Sequence, residues 1–202
     1  MRTFTDRQLL IATHNRGKLA EMRQLLAGRD LTITSAAELG LPEPKETETT
    51  FVGNARIKAH AAAQAAQIPA LADDSGIEVE ALGGAPGVYT ADWAETPNGR
   101  DFLMAMTRTW QALENAQAPY PRRARFCCTL VLAWPDGHEE VFAGTVDGHL
   151  EWPPRGEMGH GYDPMFVPDG TDNTFAEMSP DDKNAVSHRA VALQRLLAGC
   201  FT

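Results

Sequence analysis

Two carboxylates stand side by side in Leu71-Ala72-Asp73-Asp74-Ser75-Gly76-Ile77. Acids at the end of an apolar run are costly to bury unless a metal, a cation or hydrogen bonds hold them. Asp-Asp-Ser-Gly therefore has two readings: a turn in which an Asp caps the backbone, or a chemical site. A second stretch, Thr13-His14-Asn15-Arg16-Gly17-Lys18, links the apolar run Leu9 to Ala12 with a helical pattern. At a strand-to-helix turn of this kind the exposed N–H groups and the positive dipole end face outward, and a nearby Lys adds a charge, so phosphate is a natural ligand. The G-x-x-x-x-G-K-[ST] spacing is absent, so this is not a Walker A loop. An ordinary capped turn is the plain alternative.

The elements that must position these residues follow from periodicity. Gln8 to Thr13 reads as a short buried strand, and Leu19, Met22, Leu25 and Leu26 as the apolar face of a helix that Gly28 stops. Leu31 to Thr34 reads as a second strand, with Ser35 capping a short helix that ends at Gly40. Pro42 to Thr50 is an acidic loop carrying Glu43, Glu46 and Glu48. Phe51 to Gln67 is helical, with a smooth face of alanines and with Lys58 four residues after Asn54. Pro69 to Ala72 is a short strand that feeds the Asp pair. Ile77, Val79 and Ala81 alternate with Glu78 and Glu80 as in a half-exposed strand, and Gly83 to Gly87 is a tight loop.

The second half reads differently. Pro97 to Ala116 is an amphipathic helix with Phe102, Leu103, Met106, Trp110 and Leu113 along one stripe. Arg123 to Ala133 is the longest strand. Asp136-Gly137 and Asp147-Gly148 are turns on either side of the strand Glu139 to Val146, giving an antiparallel meander. Gly159-His160-Gly161-Tyr162-Asp163-Pro164 is a Gly-rich loop with ring, hydroxyl and carboxylate side chains, and Met165 to Val167 a brief strand. Ser179-Pro180-Asp181-Asp182 opens a helix: Ser as cap, Pro first, an acid three after the cap. It carries Lys183, His188 and Arg189, then an apolar face stopped at Gly199.

With 202 residues, 43% hydrophobic and 22% charged, the chain has material for one sizeable core. Its net charge of −9 argues against a nucleic-acid polymer as partner, because such binding relies on Lys and Arg covering phosphates. A small phosphorylated ligand needs only a few local cations. The cysteines are Cys127, Cys128 and Cys200, without a CxxC pair, and neighbours in a strand point to opposite faces. Reduced thiols and a cytoplasmic protein are expected. No signal core and no membrane span are apparent.

Five segments together resemble the inosine-triphosphate pyrophosphatase family. They are Ile11 to Lys18 with Glu21; Thr50-Phe51-Val52-Gly53-Asn54-Ala55 with Lys58; Ala72-Asp73-Asp74-Ser75-Gly76 through Gly83 to Tyr89; Gly161-Tyr162-Asp163-Pro164; and Ser187-His188-Arg189. They run in family order over nearly the whole chain. The resemblance implies an α/β fold in which a long mixed β-sheet with flanking helices forms two lobes around a central cleft, residues 1–202 being one such domain. It also implies a homodimer and Mg²⁺, and hydrolysis of non-canonical purine nucleoside triphosphates (ITP, dITP, XTP) to the monophosphate and pyrophosphate.

Family roles carry over at matching positions. The resemblance places Thr13, Asn15 and Lys18 on the triphosphate, with His14, Arg16 and Gly17 of the same turn also binding substrate and Lys58 and Ser75 adding phosphate contacts. Glu46 and Asp74 would bind Mg²⁺, Asp74 would also accept the proton of the attacking water, and Asp73 would support it. His160, Gly161, Tyr162, Asp163, Lys183, His188 and Arg189 would recognise the purine. Two positions depart from the family: His160 stands where Phe is common, and Gly53 where many members have Glu. The alternatives are a pyrophosphatase with another base preference and a nucleotide sensor that does not hydrolyse.

Overall fold

The structure is a computed structural model and describes residues 1–201. Its elements, in chain order, are β1 (Gln8–Ile11), α1 (Arg16–Leu25), β2 (Thr32–Ser35), α2 (Phe51–Ala66), β3 (Ala70–Val79), β4 (Pro86–Gly87), β5 (Glu95–Thr96) and β6 (Gly99–Arg100). There follow α3 (Phe102–Asn115), β7 (Arg122–Ala133), β8 (Glu139–Leu150), β9 (Phe166–Pro168), α4 (Pro180–Val186) and α5 (His188–Cys200). Among the described residues seven strands make one sheet in the order β2-β1-β3-β7-β8-β9, with β4 paired to β3; β5 and β6 form a separate hairpin. The sheet is mixed: β1 is parallel to β2 and β3, while β4 on β3 and β9 on β8 are antiparallel. The expected mixed sheet with flanking helices is what the chain forms.

Two compact units are built from it. The first comprises residues 1–74, 128–144 and 189–202; the second, residues 75–127 and 145–188. In the first unit Leu9 to Ile11 of β1 are apolar without a break because both faces of the strand are buried there. Leu9 and Ile11 pack with Leu71, with Met22 of α1 and with Ala192, Leu193 and Leu196 of α5. Leu10 and Ala12 pack on the other side with Ala70, Ala72 and the small-residue stripe Ala55, Ala59, Ala62 and Ala63 of α2. Alanine lets α2 approach the sheet closely, and each buried Leu or Ile in these layers contributes about 1.5–3 kcal/mol.

The second unit has its own core, in which Ile77 and Val79 pack with Ala105, Met106 and Leu113 of α3 and with Phe126, Leu150, Phe166 and Phe175. Cys127, Cys128 and Cys200 are buried free thiols. No described helix is long and apolar enough to cross a membrane.

Four local expectations are corrected. Asp73-Asp74-Ser75-Gly76 is not a turn: β3 runs through it from Ala70 to Val79. Asp147-Gly148 is not a turn either, since β8 runs unbroken to Leu150. Gly148 serves close approach instead, because a Cβ there would lie 2.2 Å from the Val167 carbonyl oxygen. Ser35 does accept a hydrogen bond from Glu38 N at 3.2 Å, but residues 36–40 form turns rather than a helix. The helix opened by Ser179 is two helices, α4 and α5, divided at Ser187, whose ψ of 154° is extended.

Candidate active site

Strand alternation decides where the two acids go. Ala70 and Ala72 face the α2 layer and Leu71 faces the α1 and α5 layer. Period two then sends Asp73 toward α1 and α5, and Asp74 toward α2. Their partners follow that division. Asp73 Oδ2 lies 2.9 Å from Lys18 Nζ of α1 and 3.4 Å from Arg189 Nη2 of α5. Arg189 Nη1 also donates to Glu21 Oε2. Asp74 Oδ1 lies 3.4 Å from Lys58 Nζ, and Asn54 Nδ2 lies 3.4 Å from Asp74 Oδ2; both partners come from α2.

The acidic loop is tied to the same place. Lys58 Nζ donates to Glu46 Oε1 at 2.7 Å, so one ammonium serves both Glu46 and Asp74. Asn54 Oδ1 accepts from Glu48 N at 2.9 Å and fixes the loop before α2. Gly53 makes room for it: a Cβ there would sit 2.5 Å from Glu48 Cβ. The space above Gly53, where a larger side chain would start, is filled by the Glu48 stem.

Electrostatics separate the neighbours. Burial alone would raise the Asp73 carboxyl, but Lys18, Arg189 and Lys58 hold it well below the usual carboxylate range. Asp74 is pushed up to about 6 by burial, which prevails over the lowering effect of Lys58 and Lys18, while Glu46 and Asp73 raise it further. Burial would lower Lys58, but Asp74, Asp73 and Glu46 outweigh it, so its ammonium stays charged. Arg189 is raised by Asp73 and Glu21 against the opposing effect of burial.

The first turn is capped as a helix start. Asn15 Oδ1 accepts from Gly17 N at 2.9 Å and Lys18 N at 3.1 Å, and Thr13 Oγ1 accepts from Asn15 N at 3.1 Å. With the oxygen so used, the other end of the Asn15 amide can only donate. Arg16 and Gly17 are exposed. His14 Nε2 is 2.9 Å from the Leu41 carbonyl oxygen, which makes that nitrogen the protonated one and ties the turn to the loop after β2.

The remaining residues lie in the second unit. Asp163 Oδ2 accepts from Lys183 Nζ at 2.7 Å and from His160 N at 2.7 Å, a buried pair that shapes the Gly-rich loop. Gly159 permits it, since a Cβ there would meet that same oxygen at 2.2 Å. Tyr162 is turned into the core, where its hydroxyl lies 3.2 Å from Thr109 Oγ1. His188 is buried and stacks on Phe126 at 4.8 Å with 10° between the rings. Gly161 lies beside the Phe102 ring, His160 is exposed and Ser75 is half-buried in β3.

Sequence reasoning gave no site role to Asn54, Glu48 or Glu21. Two of them carried a signal: Asn54 is four residues before Lys58 and Glu21 three after Lys18, so each shares a helix face with a site lysine. Glu48 carried none, because its role depends on where a loop folds.

No group of three or more His, Cys, Asp or Glu side chains converges on a metal position among the described residues. Glu46 and Asp74 are a sparser set, two carboxylates already sharing one cation. Hard oxygen donors in that number suit Mg²⁺, which is held by one or two carboxylates together with phosphate oxygens and waters.

The sequence profile of the Ham1 family matches residues 9–199. The dITP/XTP pyrophosphatase of Ruegeria pomeroyi is 66% identical over 200 residues, spanning 99% of this chain and 98% of that protein. That of Rhodospirillum centenum is 56% identical over the same shares. Among solved structures, a HAM1 protein from Coxiella burnetii superposes with a TM-score of 0.86 at 37% identity, covering 95% of this chain and 96% of that one. The chain with this paired-carboxylate strand belongs to the Ham1 family.

Proposed function

We propose that this chain hydrolyses dITP, XTP and ITP to the monophosphate and pyrophosphate. One observation carries the reading: Asp74 is buried at a strand position where Lys58 and Asn54 approach it, shares Lys58 with Glu46, and is poised near pH 6. Structural ion pairs are pushed the other way, as Asp73 is. The relatives named above are dITP/XTP pyrophosphatases and support the choice of substrate.

The chemistry follows from the residues. Asp74, ionised above about pH 6, takes the proton of a water aligned with the α-phosphorus. The water oxygen bonds to phosphorus as the bond to the bridging oxygen breaks, and pyrophosphate departs with that oxygen. Lys18, Lys58 and the donors of the Thr13–Lys18 turn hold the phosphates and offset the charge that develops. Glu46 and Asp74 would hold Mg²⁺, which neutralises phosphate charge and polarises the reacting bond. Asp73 fixes Lys18 and Arg189. In the same reading His160, Gly161, Asp163, Lys183 and His188 of the second unit select the base, with Tyr162 bracing their loop from the core. A homodimer in the cytoplasm belongs to this proposal; light scattering on the purified chain checks the first.

The decisive experiment is a panel of nucleoside triphosphates with Mg²⁺, reading pyrophosphate and phosphate separately. Pyrophosphate from dITP and XTP, with little from ATP or GTP, is the expected result. Phosphate release, or nucleotide binding without any product, rejects the assignment.

A further inference from the structure

Lys58 occupies an unusual place for a phosphate-binding lysine. It lies four residues after Asn54 in α2, is 7% exposed, and its ammonium sits 2.7 Å from Glu46 Oε1 and 3.4 Å from Asp74 Oδ1. Glu46 and Asp74 are the two carboxylates assigned to the metal above. Mg²⁺ needs its oxygens at about 2.0–2.1 Å, closer than an ammonium does. Nζ now contacts both carboxylates, so a metal bound by the same two groups competes with the ammonium.

We propose that Lys58 is a built-in stand-in for the divalent cation: it bridges Glu46 and Asp74 while the metal is absent and is displaced when the metal enters. This rests on the reading of Glu46 and Asp74 as the metal pair and adds a competition to it. Two adjoining carboxylates without any cation would repel each other, and buried Asp74 would carry a desolvation cost; the bridging ammonium offsets both. A lysine suits exchange. Its charge is a point on a flexible four-carbon stem, so the ammonium can swing while α2 itself stays in place. Asp74 does not swing with it, because Asn54 Nδ2 holds the other carboxylate oxygen and Asn54 is itself fixed by Glu48 N. Displacement frees Lys58 at the moment the metal arrives, and the freed cation is then available to phosphate oxygens. Metal and nucleotide are thereby coupled through one side chain, and by linkage each strengthens the other.

The test is binding of Mn²⁺ alone to the full chain, followed by the loss of the free-ion paramagnetic resonance signal, with no nucleotide present. Lys58→Met removes the competing cation and keeps most of the stem. It is expected to bind Mn²⁺ at least about fivefold more tightly than the unaltered chain, the lower end of ordinary coupling between sites. Equal or weaker binding by Lys58→Met, with Glu46→Gln still weakening binding, overturns the stand-in role and leaves the metal pair intact. Unchanged affinity in both Glu46→Gln and Asp74→Asn removes the metal pair itself and the proposal with it. Should Lys58→Met not fold, the unaltered protein answers: the Lys58 side-chain ¹⁵N resonance should shift saturably with diamagnetic Mg²⁺. A resonance that Mg²⁺ leaves in place overturns the proposal.

Discussion

Asp73 and Asp74 are covalent neighbours, yet their carboxyls are held on opposite sides of the ordinary carboxylate range. The split needs no difference in burial, since they are 5% and 6% exposed. It comes from the strand's alternation, which hands Asp73 two cations from separate helices and leaves Asp74 one cation shared with Glu46. A single backbone step thus sorts an anion held by two cations from one poised near pH 6.

Asp74→Asn should separate activity from stability. A carboxyl near pH 6 in the native state, but near 3.9 when unfolded, binds its proton more tightly in the native chain. Between those values the native state carries more protons, so stability falls as pH rises through roughly 4 to 6 and stays lower above. Asn carries no such charge. In EDTA the variant should gain roughly 1–3 kcal/mol over the unaltered chain at pH 7.5 and little at pH 4, read by urea titration. Its kcat with Mg²⁺ should drop at least about 10²-fold. Near-normal turnover would take the proton-accepting role away from Asp74.

Asp73→Asn should do the reverse. Removing this charge leaves half-buried Lys18 and buried Arg189 with one fewer carboxylate, and breaking a buried pair such as Asp73 with Arg189 costs about 3–5 kcal/mol. The Asp73 contribution is fully present above the unfolded pKa and is lost only as pH falls below about 4. Urea unfolding at pH 7.5 should show the loss, and the gap to the unaltered chain should narrow in acid. A difference under about 1 kcal/mol at neutral pH would mean that the cations find water or Glu21 instead.

Much of this was legible from residues alone. The unbroken apolar run in β1 declared a strand buried on both faces, the alanine stripe declared a close-packed α2, and Ser179-Pro180 declared a helix start. The interior of β3 was not legible. Asp-Asp-Ser-Gly has the local preferences of a turn, and what overrides them arrives from far along the chain: Arg189 lies 116 positions from Asp73 and Lys58 lies 16 from Asp74. Gly148 misled in the same way, because a glycine that admits the β9 backbone looks in sequence like one that turns. Arg189 pairs in the structure with Asp73 and Glu21, a pairing that spacing along one chain does not disclose.

His160→Phe tests base stacking in the Gly-rich loop. His160 is exposed, and its backbone N–H donates to Asp163, a bond that a change of ring leaves in place. A larger apolar ring should lower KM for dITP by about two- to tenfold, the range of one aromatic contact, with kcat unchanged. A change confined to kcat would point away from ground-state stacking.

Gly53 and Glu48 should prove energetically coupled. Gly53 is in the first turn of α2, where Ala would ordinarily favour the helix by about 1 kcal/mol. Here its Cβ would lie 2.5 Å from Glu48 Cβ and 2.7 Å from Glu48 Cγ, distances that force the loop to shift. Gly53→Ala should therefore cost about 1–3 kcal/mol rather than stabilise, the range for overpacking. The shift would also pull Glu48 N away from Asn54 Oδ1 and slacken the hold of Asn54 on Asp74. Glu48→Gly removes the obstructing stem. If that clash is the cause, the double variant should recover most of the loss, giving a coupling of at least about 1 kcal/mol in the cycle. Additive single effects in urea unfolding would show that the two side chains do not compete for this space.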